Sequence, residues 1–293
     1  MVRSVAVLKF TVLGSGDTRG LPKVGCTCAT CADALKTGFE RKRFGLLVEH
    51  DDEQSGKKTR ILLDASPDLR RAFLQYGFSS KDLDAVLLTH EHYDHVGGLG
   101  DFFYEGKTIP LYARPDCIEH VFSEHAYGYL RGFRVFEFHK TEFFKPFSVG
   151  SITVTPLPVH HSIETQGFVF VAGGKKAAVL TDCRAAVPDE TQDAIRGADL
   201  LFTDGWLEDA DQFKEAYRAF HPGLSESELT ELLKDKKRNH MLISEARNLA
   251  ERVCARKTVL LHVAHAASSH AELVRRYETD RLRIGFDGMT FRV

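Results

Sequence analysis

The sequence predicts an α/β (α+β) fold in one domain spanning 1-293. Three observations carry that expectation: short apolar runs of strand character alternate with helical spacing, polar residues able to hold metal close several of those runs, and no stretch rich in Pro, Gly or Ser divides the chain. A chain of 293 residues is long enough for a full core. Apolar residues make up 43% and charged ones 27%, ordinary for a globular protein, and a formal net charge of −2 gives no general attraction to polyanions. Nucleic acid is therefore not an expected partner. No run reaches bilayer-spanning length, and Met1-Val2-Arg3 leads directly into an alternating segment, so a cytoplasmic protein without membrane association is expected.

Val5 to Leu13 reads as a first strand ending in Gly14-Ser15-Gly16, and a Cys-rich loop at 25-32 follows, with no core of its own. Phe44 to Glu49 and Arg60 to Leu63 read as paired strands around a charged turn, Asp51 to Lys58. Asp64-Ala65-Ser66-Pro67 reads as a cap with Pro at a helix start, and Leu69, Phe73 and Tyr76 supply the apolar face of that helix. The strand Ala85-Val86-Leu87-Leu88 then gives way to His90-Glu91-His92-Tyr93-Asp94-His95 and a Gly-rich turn, Val96-Gly97-Gly98-Leu99. Further strands are expected at Ile152 to Leu157, Phe168 to Val171, Ala177 to Leu180, Leu200 to Phe202 and Val259 to Leu261. Helices are expected near Pro188 to Arg196, His240 to Arg256 and Ser269 to Tyr277. The segment 208-238 is the most charged and reads as an inserted helical pair: a solvated cover, with a lid over the site as the alternative.

Three imidazoles and a carboxylate within six residues after a buried strand fit a metal cage, because zinc or manganese takes neutral His nitrogens and carboxylate oxygens. Later strand ends offer more ligands: His160 and His161 after Leu157, Asp182 after Leu180-Thr181, and His262 after Leu261. A carboxylate between two ions bridges them with its two oxygens, and Asp182 is the candidate. Six cysteines could form disulfides, but Cys26, Cys28 and Cys31 crowd into one short stretch, which points to metal ligation. Cys117, Cys183 and Cys254 read as small buried hydrophobes. Three thiolates need a fourth ligand for a closed tetrahedral zinc site, and His265, three residues beyond His262, is the candidate.

The set His90, His92, Asp94, His95, His161, Asp182 and His262 resembles the metallo-β-lactamase superfamily over almost the whole chain. That resemblance implies a four-layer αββα sandwich with a dinuclear site at one edge of its two sheets. It also implies His90, His92 and His161 on one metal, Asp94, His95 and His262 on the other, and Asp182 bridging. The stretch His161-Ser162-Ile163-Glu164-Thr165-Gln166-Gly167-Phe168 resembles the superfamily's ligand segment and selects His161, leaving His160 as its flank.

The Cys-rich loop, His262-x-x-His265 and the closing Ile284-Gly285-Phe286-Asp287-Gly288-Met289 are similar to the PhnP-type phosphodiesterases, which implies a structural zinc on Cys26, Cys28, Cys31 and His265. His240, at the opening of the helix carrying Met241 to Ala250, resembles the phosphate-contacting histidine of PhnP-type enzymes and RNase Z. The resemblance thus implies a catalytic and substrate-binding role for His240, beside Asp182 and Asp94, while Asp64 and Asp68 look like family scaffold. The function it implies is a metal-dependent phosphodiesterase hydrolysing a small cyclic phosphodiester, such as a ribosyl 1,2-cyclic phosphate or cyclic nucleotide. The nucleophile would be a hydroxide shared by two divalent ions, with zinc, manganese and nickel all compatible with the ligands. Superfamily members often form dimers, so a homodimer is also expected. An RNase Z-like tRNA endonuclease is the alternative that the acid-rich Leu207-Glu208-Asp209-Ala210-Asp211 and the net charge disfavour. A PqqB-like non-hydrolytic protein of cofactor biosynthesis shares the Cys-rich loop, and thioester or lactam hydrolysis would use the same metals.

Overall fold

Phenylalanines spaced along the strands build the centre of the molecule. Phe10, Phe168, Phe170 and Phe202 are fully buried, with the Phe10 ring 5.9 Å from Phe170 edge-on and 5.2 Å from Phe202. They lie between two seven-stranded sheets in the computed structural model, which describes residues 7–52, 55–103, 106–123, 126–234 and 238–293.

The first sheet contains β1 (Leu8–Gly14), β2 (Gly45–Asp52), β3 (Lys57–Leu63), β4 (Ala85–Leu87), β5 (Ile109–Ala113) and β6 (Phe136–Lys140), with β14 (Thr290–Arg292) at its edge beside β1. The second runs β13-β12-β11-β10-β9-β8-β7: β7 (Phe147–Val149), β8 (Ile152–Val159), β9 (Thr165–Ala172), β10 (Lys175–Leu180), β11 (Leu200–Asp204), β12 (Thr258–Leu261) and β13 (Leu282–Ile284). Pairing is antiparallel from β14 to β3 and from β7 to β10, and parallel from β3 to β6 and from β10 to β13.

Helices cover both outer faces. Leu69 and Phe73 of α2 (Leu69–Tyr76), Ile118 of α4 (Pro115–Val121) and Leu130 of α5 (Gly128–Gly132) pack with Leu62 and Val86 of the first sheet. Ile195 of α6 (Asp189–Ile195), Ile243, Ala246 and Leu249 of α9 (Ile243–Arg252), and Leu273 of α10 (His270–Tyr277) pack with Leu201 and Leu260 of the second. The result is the expected αββα sandwich. The charged segment carries two helices, α7 (Ala210–Phe220) and α8 (Glu226–Leu233). No helix among the described residues is long and apolar enough to cross a membrane.

Several local expectations are corrected. The first strand starts at Leu8, and Val5 and Ala6 lie outside the described residues. β2 and β3 remain paired as far as Asp52 and Lys57, so the charged hairpin tip is shorter than Asp51 to Lys58. Helix α2 begins two residues after Pro67. Its N-terminal cap position is Asp68, which makes no cap hydrogen bond because its carboxylate accepts instead from Arg43 N (2.9 Å) and Nη1 (3.0 Å). The Cys-rich loop leads straight into a helix, α1 (Ala29–Thr37), and a small core of its own forms from Leu21, Cys31 and Ala34 with Phe39 against it. Cys117 and Cys183 are buried as expected, but Cys254 is exposed, in a left-handed turn (φ 54°) after α9. Helix α9 starts at Ile243, so His240 stands ahead of it in a loop.

Parallel strands β3, β4, β10, β11 and β12 all end at one rim of the sandwich, and the chain continues from those ends into Asp64, His90, Asp182 and His262. Removing the ring that ties the sheets together tests this packing: Phe10→Ala should lower the unfolding free energy by about 3–5 kcal/mol, read from urea midpoints at constant slope.

Candidate metal centre

β4 delivers the chain to a single tight turn. His95 N and Val96 N both donate to His92 O (2.9 and 3.2 Å), closing α3 (Tyr93–Val96), so His90, His92, Asp94 and His95 project from one short stretch. Asp64, Asp182 and His262 have φ values of 59°, 52° and 57°. Non-glycine residues rarely adopt that left-handed region, and three of them at strand ends around one site mark backbone strain retained for placement of the side chains.

Two clusters result. His90 Nε2 lies 2.9 Å from His92 Nδ1, and His161 Nε2 lies 3.3 Å from the same atom. Asp94 Oδ2 lies 3.3 Å from His95 Nε2 and 3.7 Å from His262 Nε2. Asp182 stands between them: its Oδ2 is 2.9 Å from His95 Nε2 and 3.2 Å from His262 Nε2, while Oδ1 is 3.5 Å from His161 Nε2. All seven expected residues of the pair are therefore brought together. His160 is exposed, has Nδ1 2.7 Å from Ala186 O, and stays outside the cluster.

The donor set fits divalent metal. His95 Nε2, His262 Nε2 and Asp182 Oδ2 are buried and close, yet none is aligned for a hydrogen bond; they converge on shared space. The charges agree. Burial opposes charge on His95, but Asp182, Asp94 and Asp64 overcome it and hold its pKa well above the ordinary imidazole value. His262 is raised to about 9 against burial, chiefly by Asp182. Burial would also raise the Asp182 carboxyl, but His262 and His95 hold it well below the usual range, and His95 does the same for Asp94. Burial lowers His90 well below normal and His161 to about 4, leaving neutral nitrogens. Ionised carboxylates around neutral imidazoles call for cations, and metal would displace the protons from His95 and His262.

Surrounding residues fix the ligands. Asp64, fully buried, accepts from His95 Nδ1 (2.7 Å), Thr89 N (2.8 Å) and Thr89 Oγ1 (2.8 Å), which orients the His95 ring. Asp68 does not reach the cluster and serves Arg43. The sequence reading missed Asp204. It closes β11, is fully buried, and accepts from Asp182 N (3.0 Å), Cys183 N (3.1 Å) and His240 Nδ1 (3.2 Å). Its signal was present: like Asp182 and His262, it ends an apolar run.

His240 is placed by contacts other than a helix terminus. Its ring stacks on His262 (4.9 Å), lies 5.2 Å from Trp206, and has Nδ1 3.6 Å from Asp182 Oδ1. Trp206 is held in turn by its indole N–H, which donates to Asp17 Oδ2 (3.1 Å). His92, Asp94, His161, Asp182, His240 and His262 line a cavity of about 350 Å³ together with Thr18, Tyr93 and Asn239.

The sulfur cluster forms separately. Cys26, Cys28 and Cys31 Sγ lie 3.7, 3.9 and 3.6 Å from His265 Nδ1. Tetrahedral zinc with bonds of about 2.3 Å to sulfur and about 2.05 Å to nitrogen has an S···N edge of about 3.6 Å, so the four residues fit. Burial pushes the Cys31 thiol up to about 12, so its thiolate needs a cation.

Comparison with known proteins agrees with this geometry. Residues 59–263 match the family described as Beta-lactamase superfamily domain. The chain is 31% identical, over 96% of its length, to a Porphyromonas gingivalis protein named octanoyltransferase, and spans 51% of that protein, about half its length. It is 29% identical to coenzyme PQQ synthesis protein B of Methylobacterium nodulans, covering 68% of this chain and 73% of that one. The crystal structure of a diphosphatase from the PhnP family superposes with a TM-score of 0.74 at 27% identity, covering 98% of this chain and 97% of the other.

The two clusters should fail differently. Asp182→Ala should keep the melting temperature of the metal-free protein within a few degrees while metal bound at the histidine pair falls. Cys28→Ser should lose zinc from the sulfur site and melt about 5 °C or more lower. Metal content by mass spectrometry and thermal melts check both, and equal loss of fold would contradict the division.

Proposed function

Since this chain belongs to the metallo-β-lactamase superfamily and is of the PhnP type, we propose that it is a metal-dependent hydrolase of small, preferably cyclic, phosphodiesters. The observation that carries this reading is the pairing of Asp182, whose two oxygens face two ligand clusters, with the Asp204–His240 dyad beside it. Two divalent ions, when bound, would neutralise phosphate oxygens and make water acidic enough to ionise near neutral pH.

The chain's own residues supply the rest. Asp204 accepts from His240 Nδ1, which fixes the ring and leaves Nε2 on the opposite side. His240 lines the cavity and is 16% exposed at its side chain, so it can protonate a departing alkoxide there and recover the proton from solvent. Asn239 lines the same cavity, and its Oδ1 accepts from Arg184 Nη2 (3.1 Å), which brings a guanidinium close to where an anion would bind. A cavity of about 350 Å³ suits a small ligand. A second reading, a non-hydrolytic part in cofactor synthesis, rests on the 29% identity with PQQ synthesis protein B. The Asp204–His240 dyad, a proton donor held beside the metal ligands, favours hydrolysis.

The deciding experiment measures turnover of ribose 1,2-cyclic phosphate, a 2′,3′-cyclic nucleotide, a precursor tRNA and a thioester with manganese or zinc added. Preference for a small cyclic phosphate supports the reading. Cleavage of RNA alone, or of thioester alone, overturns it. His240→Ala should lower kcat on alkoxide-leaving substrates by about 10²–10³-fold and much less on a p-nitrophenyl ester, whose leaving group needs no proton.

A further inference from the structure

Tyr93 sits between two metal-site residues and takes no part in holding metal. The residue is 66% exposed and lines the cavity next to His92 and Asp94. Three other exposed aromatics have ring partners: Phe133 lies 4.7 Å from Phe103, Tyr129 5.5 Å from Phe103, and Phe286 5.4 Å from His270. Among the described residues Tyr93 makes no ring contact and no side-chain hydrogen bond.

The ring is nevertheless held. Its backbone belongs to the tight turn that presents His92, Asp94 and His95, and Tyr93 O accepts from Gly97 N (2.8 Å). A Cβ on Gly97 would stand 2.8 Å from Tyr93 Cε2 and 2.6 Å from Pro67 Cγ, so the ring edge lies where only glycine leaves room. The outcome is an aromatic surface seated from below, open above, at the mouth of the phosphate site. Such a ring stacks on a flat group at little entropic cost, and any nucleobase presents a suitable face.

We propose that Tyr93 is a stacking platform for the base of a nucleotide substrate, so that base-bearing phosphodiesters are preferred over baseless sugar phosphates. This inference rests on the phosphodiesterase reading above and narrows it.

The test compares kcat/KM of the manganese-loaded protein for adenosine 2′,3′-cyclic phosphate and for ribose 1,2-cyclic phosphate, in wild type, Tyr93→Ala and Tyr93→Phe. The preference for the adenosine substrate should fall about tenfold in Y93A, through KM, and stay within about twofold of wild type in Y93F. Metal content and thermal melts confirm that the variants are folded and loaded. An equal effect of Y93A on both substrates, or none on either, overturns the platform. If wild type turns over neither compound, the functional reading falls, and calorimetric binding of AMP against ribose 5-phosphate then decides the platform by the same ratio. A Y93A loss confined to AMP upholds it; a loss shared by both sugars' phosphates overturns it.

Discussion

One buried carboxylate organises this molecule's working rim. Asp182 has one oxygen against His95 and His262 and the other toward His161, at distances set by a left-handed turn at the end of β10. Its backbone N–H donates to Asp204, which also receives His240, so the carboxylate between the clusters and the His240 ring share an anchor. Displacement of Asp182 would therefore disturb both ligand clusters and His240 together. Few residues in a protein have so many dependents, and the sandwich behind it, with parallel strands ending on one rim, provides the rigidity they need.

The charge balance follows from the same residue. Asp64, Asp94 and Asp182 converge on His95, all four of them buried, and their mutual repulsion must be answered by positive charge. Protons on His95 and His262 answer it in the protein alone, and metal answers it better because neutral His90 and His161 contribute lone pairs that a proton-based arrangement leaves unused.

The sequence was informative where chemistry is local. The run from His90 to His95 carries its own turn, and the strand preceding it is an unbroken apolar stretch, so both were legible without knowledge of the rest. Asp182, His262 and the pair His160-His161 were readable because each closes such a run, while the choice of His161 within that pair came from the family resemblance. Asp204 obeyed the same rule and was passed over because its importance comes from neighbours: only the parallel pairing of β11 beside β10 puts it under Asp182 N and His240. Helix α1 escaped notice because its cap position, Cys28, makes no cap hydrogen bond, and its burial of Cys31 and Ala34 depends on Leu21 packing from outside the helix. His240 was placed at a helix terminus on spacing alone, whereas ring contacts with His262 and Trp206, made across distant segments, determine where it stands.

Trp206 is the one tryptophan in the sequence. Its ring lies against His240 on one side, and its N–H is held by Asp17, whose own N–H donates to Val263 O (3.3 Å), in the short stretch between His262 of the histidine cluster and His265 of the sulfur cluster. The indole is thus the only strong near-ultraviolet emitter in the chain, and it is seated at the junction of both metal clusters. Its emission offers an optical gauge already built into the unmodified protein, able to follow each cluster in solution without label or substrate.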